Sequence, residues 1–245
     1  MNLGEIDERK GLPSASGMES YFLCLGKFHA EKMAEKAELC VTSTAAKSGQ
    51  KIHSTLSELS SEELKVAYLC SKERDSILDR WLVLNDLEES IVKFLKEERL
   101  WLKNEKDHLV ASGKVDFIAI ADRRALILDY KTGKDEVEKS SKNEQLKTLA
   151  IILSENYDLD EITVGIIQPL VSISSDLHAY RKEDLQFSRK RLLQLLDLIQ
   201  NSEMPRIGGV VQCRYCKIKE NCSEAKVDIT KSDKNDYKKR DGINT

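Results

Sequence analysis

The chain has 245 residues, of which 33% are charged and 40% hydrophobic, and its formal net charge is −3. This length is enough for one sizeable hydrophobic core, and the slightly acidic balance argues against a general nucleic-acid coat protein, which would be basic. No apolar run approaches the roughly 18 residues of a membrane helix, and the first residues lack the apolar segment of a secretory signal. We therefore expect a cytoplasmic protein with no membrane partner.

The first part of the chain has helical periodicity. Apolar residues recur at helical spacing over residues 16–37, 45–69 and 72–96, which predicts three helices. The third helix is expected to bury one apolar face, formed by Ile77, Trp81, Leu84, Leu87, Ile91 and Phe94.

The second part of the chain alternates strand and helix patterns. Residues 99–103 predict an edge strand, and after a polar turn the sheet resumes. Residues 142–155 and 182–201 predict amphipathic helices, and the apolar run at 161–170 predicts a strand between them. This order predicts an α/β protein with a mixed central sheet flanked by helices.

Polar, poorly patterned segments lie at both ends. Residues 1–13 are expected to be flexible, and the polar residues 226–245 are expected to be disordered because they have nothing to pack. We predict a single domain over residues 14–225.

The most informative stretch is residues 113–133, two apolar strands joined by the polar turn Asp122-Arg123-Arg124. A loop of two residues, Asp122 and Arg123, and a loop of four residues give the same register. With a two-residue loop, Asp116 is directly opposite Asp129, and Lys131 projects from the same face. Two carboxylates held this close repel each other unless a cation lies between them. The pattern therefore predicts a metal site with a cationic neighbour; the alternative is a structural Asp129–Lys131 ion pair with a spare turn carboxylate.

The other residues of this predicted hairpin are apolar on both faces, which is typical of central strands covered by helices on both sides. Burial makes the three ionisable groups more costly and hence more informative. The acidic face carries Ile118, Ile120 and Ile127, and the opposite face carries Phe117, Leu126 and Leu128.

Three of the six cysteines are close together, as Cys213-x-x-Cys216 followed by Cys222. Thiolates at this spacing can surround one metal ion or cluster. Three ligands leave a coordination position open, and Cys24 is the candidate for the fourth. The residues alone leave zinc and an iron–sulfur cluster as alternative occupants.

Gly113-x-x-Asp116 and Asp129-x-Lys131 resemble the core signature of the PD-(D/E)XK nuclease superfamily, in particular its RecB-like branch. That branch includes AddB nuclease domains and CRISPR-associated RecB-like exonucleases. The segment that ends at His53 is similar to the family segment in which a glycine precedes the metal-binding histidine by four residues.

The resemblance implies a restriction-endonuclease-like fold and metal-dependent cleavage of DNA. Asp116, Asp129 and His53 would bind Mg²⁺ or Mn²⁺, and the Tyr130 backbone carbonyl would be a further ligand. Lys131 would orient the attacking water or neutralise the phosphate.

Gln145 corresponds to a glutamine that many RecB-like nucleases carry near the metal and the DNA. It would help to position the water or the phosphate, and it completes the implied catalytic set. Leu149 stands where the family has a tyrosine four residues later, so the chain carries only the first half of that motif.

The C-terminal cysteine segment is very similar to the one that closes AddB-like and CRISPR-associated nuclease domains. The resemblance implies a 4Fe–4S cluster held by Cys24, Cys213, Cys216 and Cys222. Such a cluster would join the N- and C-terminal segments and have a structural role. Zinc is the less favoured occupant.

The implied function is that of a divalent-metal-dependent deoxyribonuclease. We expect an exonuclease or DNA-end-processing enzyme of repair or recombination that hydrolyses phosphodiester bonds of single-stranded or unwound DNA. A helicase or other recombination protein is the expected partner. One alternative is a catalytically silent, nuclease-like DNA-binding subunit of such a complex, and another is a cysteine-stapled interaction module without a DNA role.

Overall fold

The computed structural model describes residues 8–36, 61–134, 136–171, 175–201 and 203–226. These residues group into two compact units. The sheet unit comprises the described residues of Met1–Met18 and Ser43–Leu196, and the cysteine unit comprises those of Glu19–Thr42 and Asp197–Thr245. Outside the described residues lie the first seven residues, the predicted second helix before residue 61 with His53, and the predicted polar tail from residue 227.

The described residues contain six α-helices and five β-strands. The helices are α1 (Met18–Leu23), α2 (Lys27–Lys36), α3 (Ser61–Asn85), α4 (Glu144–Asn156), α5 (Lys182–Asn201) and α6 (Val210–Arg214). The strands are β1 (Lys93–Lys103), β2 (Leu109–Ala121), β3 (Arg124–Tyr130), β4 (Glu161–Ile167) and β5 (Asp176–Arg181). Short 3₁₀ turns occupy Ala15–Gly17, Glu89–Ile91, Lys219–Asn221 and Ser223–Lys226. None of the described helices has the length and apolar composition needed to cross a membrane.

The strands form one sheet in the order β1-β2-β3-β4-β5. Strands β3 and β4 are parallel, and the other neighbouring pairs are antiparallel. Helix α4 makes the crossover between the two parallel strands, as a parallel connection requires. The predicted α/β organisation, with a mixed central sheet flanked by helices, is confirmed.

The β2–β3 hairpin has the register that the sequence predicts. Ala121 pairs with Arg124, and the pairing continues to Phe117 opposite Leu128. The loop has two residues, and the first of them, Asp122, has a φ of 49°. Aspartate is one of the few residues that tolerate this left-handed conformation, which explains its place in a tight turn.

Both faces of the hairpin are buried, as their apolar composition predicts. Phe117, Leu126 and Leu128 pack against α3 in one core cluster. On the other face Ile118 and Ile127 are fully buried. The hairpin is therefore the centre of the sheet unit.

Gly113 of β2 lets α4 approach the sheet closely. A Cβ atom at this position would lie 2.4 Å from Leu149 Cδ2, 3.3 Å from Ile152 Cδ1 and 3.3 Å from Ala15 Cβ. The first of these distances is shorter than non-bonded carbon atoms tolerate. The glycine of the Gly113-x-x-Asp116 motif thus has a packing role of its own.

The predicted helix over residues 72–96 is wrong at both ends, because it is continuous with residues 61–69 of the predicted second helix and because it ends early. Helix α3 ends at Asn85, Asp86 has a φ of 54°, and strand β1 begins at Lys93. Leu84 and Ile91, expected in the core, are 84% and 57% exposed. The prediction failed because apolar residues continue at helical spacing beyond Asn85. The left-handed conformation of Asp86 ends the helix there.

The predicted first helix is also divided, because α1 ends at Leu23 and α2 begins at Lys27. Within the cysteine unit, Gly26 N donates to Pro205 O at 3.1 Å. A Cβ at Gly26 would lie 2.4 Å from Met204 O. This long-range backbone contact explains the break.

We expect Gly113→Ala to lower the free energy of unfolding by about 1–3 kcal/mol, because it overpacks the contact between β2 and α4. Gly133→Ala is the matched control, since a Cβ there would meet nothing within 4 Å. Urea denaturation of both variants measures the difference. Equal stability of the two variants would contradict the close approach.

Candidate active site

Asp129, Lys131 and Gln145 form a closed set of contacts in the sheet unit. The Asp129 side chain is nearly buried, and its Oδ2 lies 2.7 Å from Lys131 Nζ. Gln145 Nε2 donates to Asp129 Oδ1 at 2.7 Å, and Lys131 Nζ donates to Gln145 Oε1 at 2.9 Å. Each of the three side chains therefore fixes the other two.

Two elements position this set. Asp129 is the penultimate residue of β3, and Gln145 lies in the first turn of α4. The Asn143 side chain accepts a hydrogen bond from Leu146 N at 3.0 Å and so caps the start of α4. The positive end of the α4 dipole therefore lies near the buried Asp129 carboxylate.

Asp116 joins the site where the regular pairing of β2 with β3 ends. The last regular pair is Phe117 with Leu128. Next to it, Asp116 Oδ2 accepts a hydrogen bond from Tyr130 N at 2.7 Å. The structure thus places Asp116 against the Tyr130 backbone, one residue beyond Asp129, while the regular strand pairs stop before the predicted opposition of the two carboxylates.

The electrostatic environment of Asp116 includes the Cys70 thiol and the Tyr130 hydroxyl, two side-chain groups that the sequence did not indicate. Burial, with the Asp116 charge adding to it, raises the pKa of the Cys70 thiol to about 11. Burial also raises the pKa of Tyr130 to about 12, although the Arg74 guanidinium acts in the opposite direction. Both groups are neutral at pH 7, so charge in this region is carried by carboxylates and cations. Arg74, on the sheet-facing side of α3, is the charged residue that the sequence analysis missed.

Part of the predicted divalent-metal ligand set fits these residues. Carboxylate oxygens are the ligands that Mg²⁺ and Mn²⁺ prefer. Among the described residues, Asp129 Oδ2 is buried and has the Lys131 ion pair but no hydrogen bond, so it retains capacity for a cation. No group of three or more His, Cys, Asp and Glu side chains within the described ranges is arranged to hold a metal ion. The third predicted side-chain ligand, His53, is outside those ranges.

The cysteine unit contains the four cysteines predicted to share one cluster, but no three of them are arranged to hold a metal ion within the described residues. Cys24 Sγ accepts a hydrogen bond from Ile207 N at 3.2 Å, and Cys213 Sγ accepts one from Gly209 N at 3.4 Å. Cys216 and Cys222 pack in one apolar cluster with Ala34, Ile218 and neighbouring residues. All four thiols are free, with no disulfide among the described residues. Burial raises the pKa of the Cys216 thiol to about 11.

Side-chain hydrogen bonds also join α2 to the cysteine segment. The buried Lys27 donates to Gln212 O at 3.1 Å, and Glu31 accepts a hydrogen bond from Lys217 N at 3.0 Å. These contacts fix the segment that carries Cys213 and Cys216. The junction between the two segments therefore does not depend on a bound cluster alone.

Comparison with known proteins identifies a family without an assigned function. The model of the family described as "Protein of unknown function (DUF2800)" matches residues 30–244. No curated protein matches the chain. Among solved structures, one titled "Crystal structure of SSO0001" is similar, with 15% identity, coverage of 91% of this chain and 90% of its own, and a TM-score of 0.46.

We expect Gln145→Ala to lower the free energy of unfolding by about 1–3 kcal/mol, because Asp129 and Lys131 each lose a charge-assisted hydrogen bond. Gln194→Ala, at an exposed position of α5, is the matched control and should change stability little. Chemical denaturation measures both. A Gln145→Ala variant as stable as the control would show that the three side chains do not depend on one another.

Proposed function

The chain belongs to the DUF2800 family, and we propose that it is a divalent-metal-dependent deoxyribonuclease. It acts on single-stranded or unwound DNA as an exonuclease or end-processing enzyme. The observation that supports this most is the contact set of Asp129, Lys131 and Gln145 with Asp116 beside it. These are the residue types of a PD-(D/E)XK site, and they lie at one end of the central hairpin.

The Asp129–Lys131 contact by itself fits a structural ion pair equally well. The nuclease interpretation is favoured by what surrounds that pair. A structural pair needs neither a second carboxylate at Asp116 nor the amide of Gln145, which spans both partners. Buried ionic groups also contribute little to stability compared with apolar residues of similar volume. Metal-dependent cleavage would require Asp116, Asp129, Lys131 and Gln145 together.

Each side chain has a role in the proposed hydrolysis. Asp116, Asp129 and His53 would hold Mg²⁺ or Mn²⁺, with the Tyr130 carbonyl as a further ligand. When bound, the ion would lower the pKa of a water and offset the charge that develops on the phosphate. Lys131, held beside Asp129, donates to the attacking water or a phosphate oxygen.

Gln145 keeps the Lys131 ammonium in position for this donation. Its amide group links the ammonium to Asp129 Oδ1, so the lysine cannot turn away from its place beside Asp129 Oδ2 without losing the hydrogen bond to Gln145. A helicase or other recombination protein would supply unwound DNA ends in the cytoplasm. The net charge of −3 is compatible with DNA as the substrate, since bound divalent ions restore positive charge locally.

We also propose that Cys24, Cys213, Cys216 and Cys222 hold a 4Fe–4S cluster with a structural role. All four belong to one compact unit, and two of the sulfur atoms accept backbone hydrogen bonds. Hydrogen bonds to the sulfur ligands are one means by which proteins tune such clusters. Zinc bound by four thiolates is the alternative.

The nuclease proposal is tested with end-labelled single- and double-stranded DNA, Mn²⁺ or Mg²⁺ and anaerobically purified protein. We expect Lys131→Ala to reduce cleavage at least about 100-fold, because the transition state loses a charged donor. Lys106→Ala, at an exposed turn position, is the matched control and should cleave as the wild type does.

Two results would count against this assignment. Cleavage that persists at the wild-type rate in Lys131→Ala would come from another site or a contaminant. If the wild type binds DNA but does not cleave it with either metal, the silent DNA-binding subunit becomes the better description.

For the cysteine site we expect about four iron atoms per chain after anaerobic purification. Cys213→Ser should lose most of the iron and the broad visible absorbance of the cluster. Cys70→Ala, which removes a cysteine of the sheet unit, should keep both. Stoichiometric zinc in place of iron would establish the zinc alternative, and absence of both metals would exclude a resident metal at these cysteines.

A further inference from the structure

Helix α3 carries an arginine in the stripe that faces the sheet. Arg74 follows Cys70 by four residues and precedes Ile77 by three, which is the spacing of one helix face. An apolar residue is expected at such a position. The other described members of this stripe and its neighbours are buried in the core cluster: Val66, Cys70, Ile77, Leu78, Trp81 and Leu82.

Aromatic and polar groups surround the Arg74 guanidinium. Its Cζ lies 5.4 Å from the centroid of the Phe117 ring. Nε donates to Asp75 Oδ1 at 2.8 Å, and Nη2 donates to Ser71 Oγ at 3.0 Å. The Tyr130 side chain is a further electrostatic neighbour of the guanidinium. It is thus oriented by the hairpin and by its own helix, while its side chain remains 23% exposed.

The same tyrosine connects Arg74 to the candidate site. Tyr130 N donates to Asp116 Oδ2 at 2.7 Å, and the Tyr130 side chain contacts Arg74. Lys131 follows Tyr130 in the chain. Tyr130 therefore has Arg74 near its side chain and Asp116 at its backbone N–H. Its neighbours in the chain are Asp129 and Lys131.

Packing alone does not require a charge at this position. Removing a guanidinium from water is costly, and an apolar side chain of similar volume usually serves a core at least as well. A guanidinium has five N–H donors. Asp75 Oδ1 lies 2.8 Å from Nε and 2.7 Å from Nη2, and Ser71 accepts from Nη2, so donors remain beyond these contacts. The donors in excess, the planar shape and the partial exposure are properties of a residue that binds an anion.

We propose that Arg74 binds a phosphate of the DNA substrate beside the candidate metal site, an inference that rests on the proposed nuclease function. Its planar fork matches the geometry of phosphate oxygens, and stacking on Phe117 keeps that fork in one plane. Lys131 acts at the reacting phosphate, and Arg74 holds a neighbouring part of the backbone. Its loss should therefore weaken substrate binding more than it slows the chemical step.

The test compares the wild type with Arg74→Met, which keeps an apolar stem over Phe117 and removes the charge. Arg80→Met is the matched control, because Arg80 is exposed on the same helix and the change in net charge is identical. Binding of fluorescein-labelled oligothymidylate is measured by anisotropy in EDTA at several salt concentrations. Steady-state cleavage with Mn²⁺ and thermal unfolding are measured on the same samples.

We expect Arg74→Met to bind about 10-fold more weakly or worse, and to reduce the slope of log K against log salt by about 0.7 in magnitude. KM should rise while kcat changes less, and thermal stability should not fall. Arg80→Met should behave as the wild type does.

Wild-type affinity, salt slope and KM in a folded Arg74→Met variant that still cleaves DNA would overturn the inference and leave the nuclease proposal intact. A wild type that neither binds nor cleaves DNA would overturn both. If Arg74→Met does not fold, Arg74→Lys replaces it, because lysine keeps the charge but lacks the fork. An unchanged KM in folded Arg74→Lys would then overturn the inference.

Discussion

The burial of the Asp129 carboxylate at the end of β3 is the constraint on which the candidate site depends. A carboxylate that is 4% exposed is costly to bury unless a cation and hydrogen-bond donors are close. Lys131 and Gln145 supply both, which requires the first turn of α4 to start beside the end of β3. That placement depends in turn on Gly113, since a larger residue would keep α4 away from β2. The charge contacts of Asp129 therefore depend on the close packing of α4 against β2.

The end of hairpin pairing gives the site its second carboxylate. Asp116 accepts a hydrogen bond from the Tyr130 backbone, so its position is determined by the β3 backbone and not by a side-chain partner alone. Tyr130 in turn has Arg74 at its side chain. Two carboxylates and two cations are thus linked through three consecutive residues at the end of β3, Asp129 to Lys131. A proposed phosphodiesterase needs both kinds of charge, one to hold metal ions and one to hold phosphate.

The hairpin and the helices α4 and α5 could be predicted from the sequence because their signals are local. Alternation of apolar residues around Asp122 determines the register, and regular apolar spacing determines the two helices. The end of α3 could not be predicted, because Leu84, Ile91 and Phe94 continue the helical spacing after the helix has ended. Strand β5 was missed since it is a mostly exposed edge strand with little apolar alternation. Arg74 could not be predicted, because a charged residue within a helix usually lies on the solvent-exposed face. The contacts that place Arg74 against the sheet come from residues distant in sequence, Phe117 and Tyr130.

The most direct test of the central claim is calorimetric titration of the metal-free protein with Mn²⁺, beside the variants Asp129→Asn and Asp107→Asn. Asp107 is an exposed turn residue and controls for the lost charge. We expect the wild type and Asp107→Asn to bind Mn²⁺ saturably. Asp129→Asn should lose this binding, because the asparagine amide cannot replace the anionic carboxylate ligand. Equal binding by all three proteins, or none by the wild type, would contradict a metal site at Asp129 and favour a structural ion pair with Lys131.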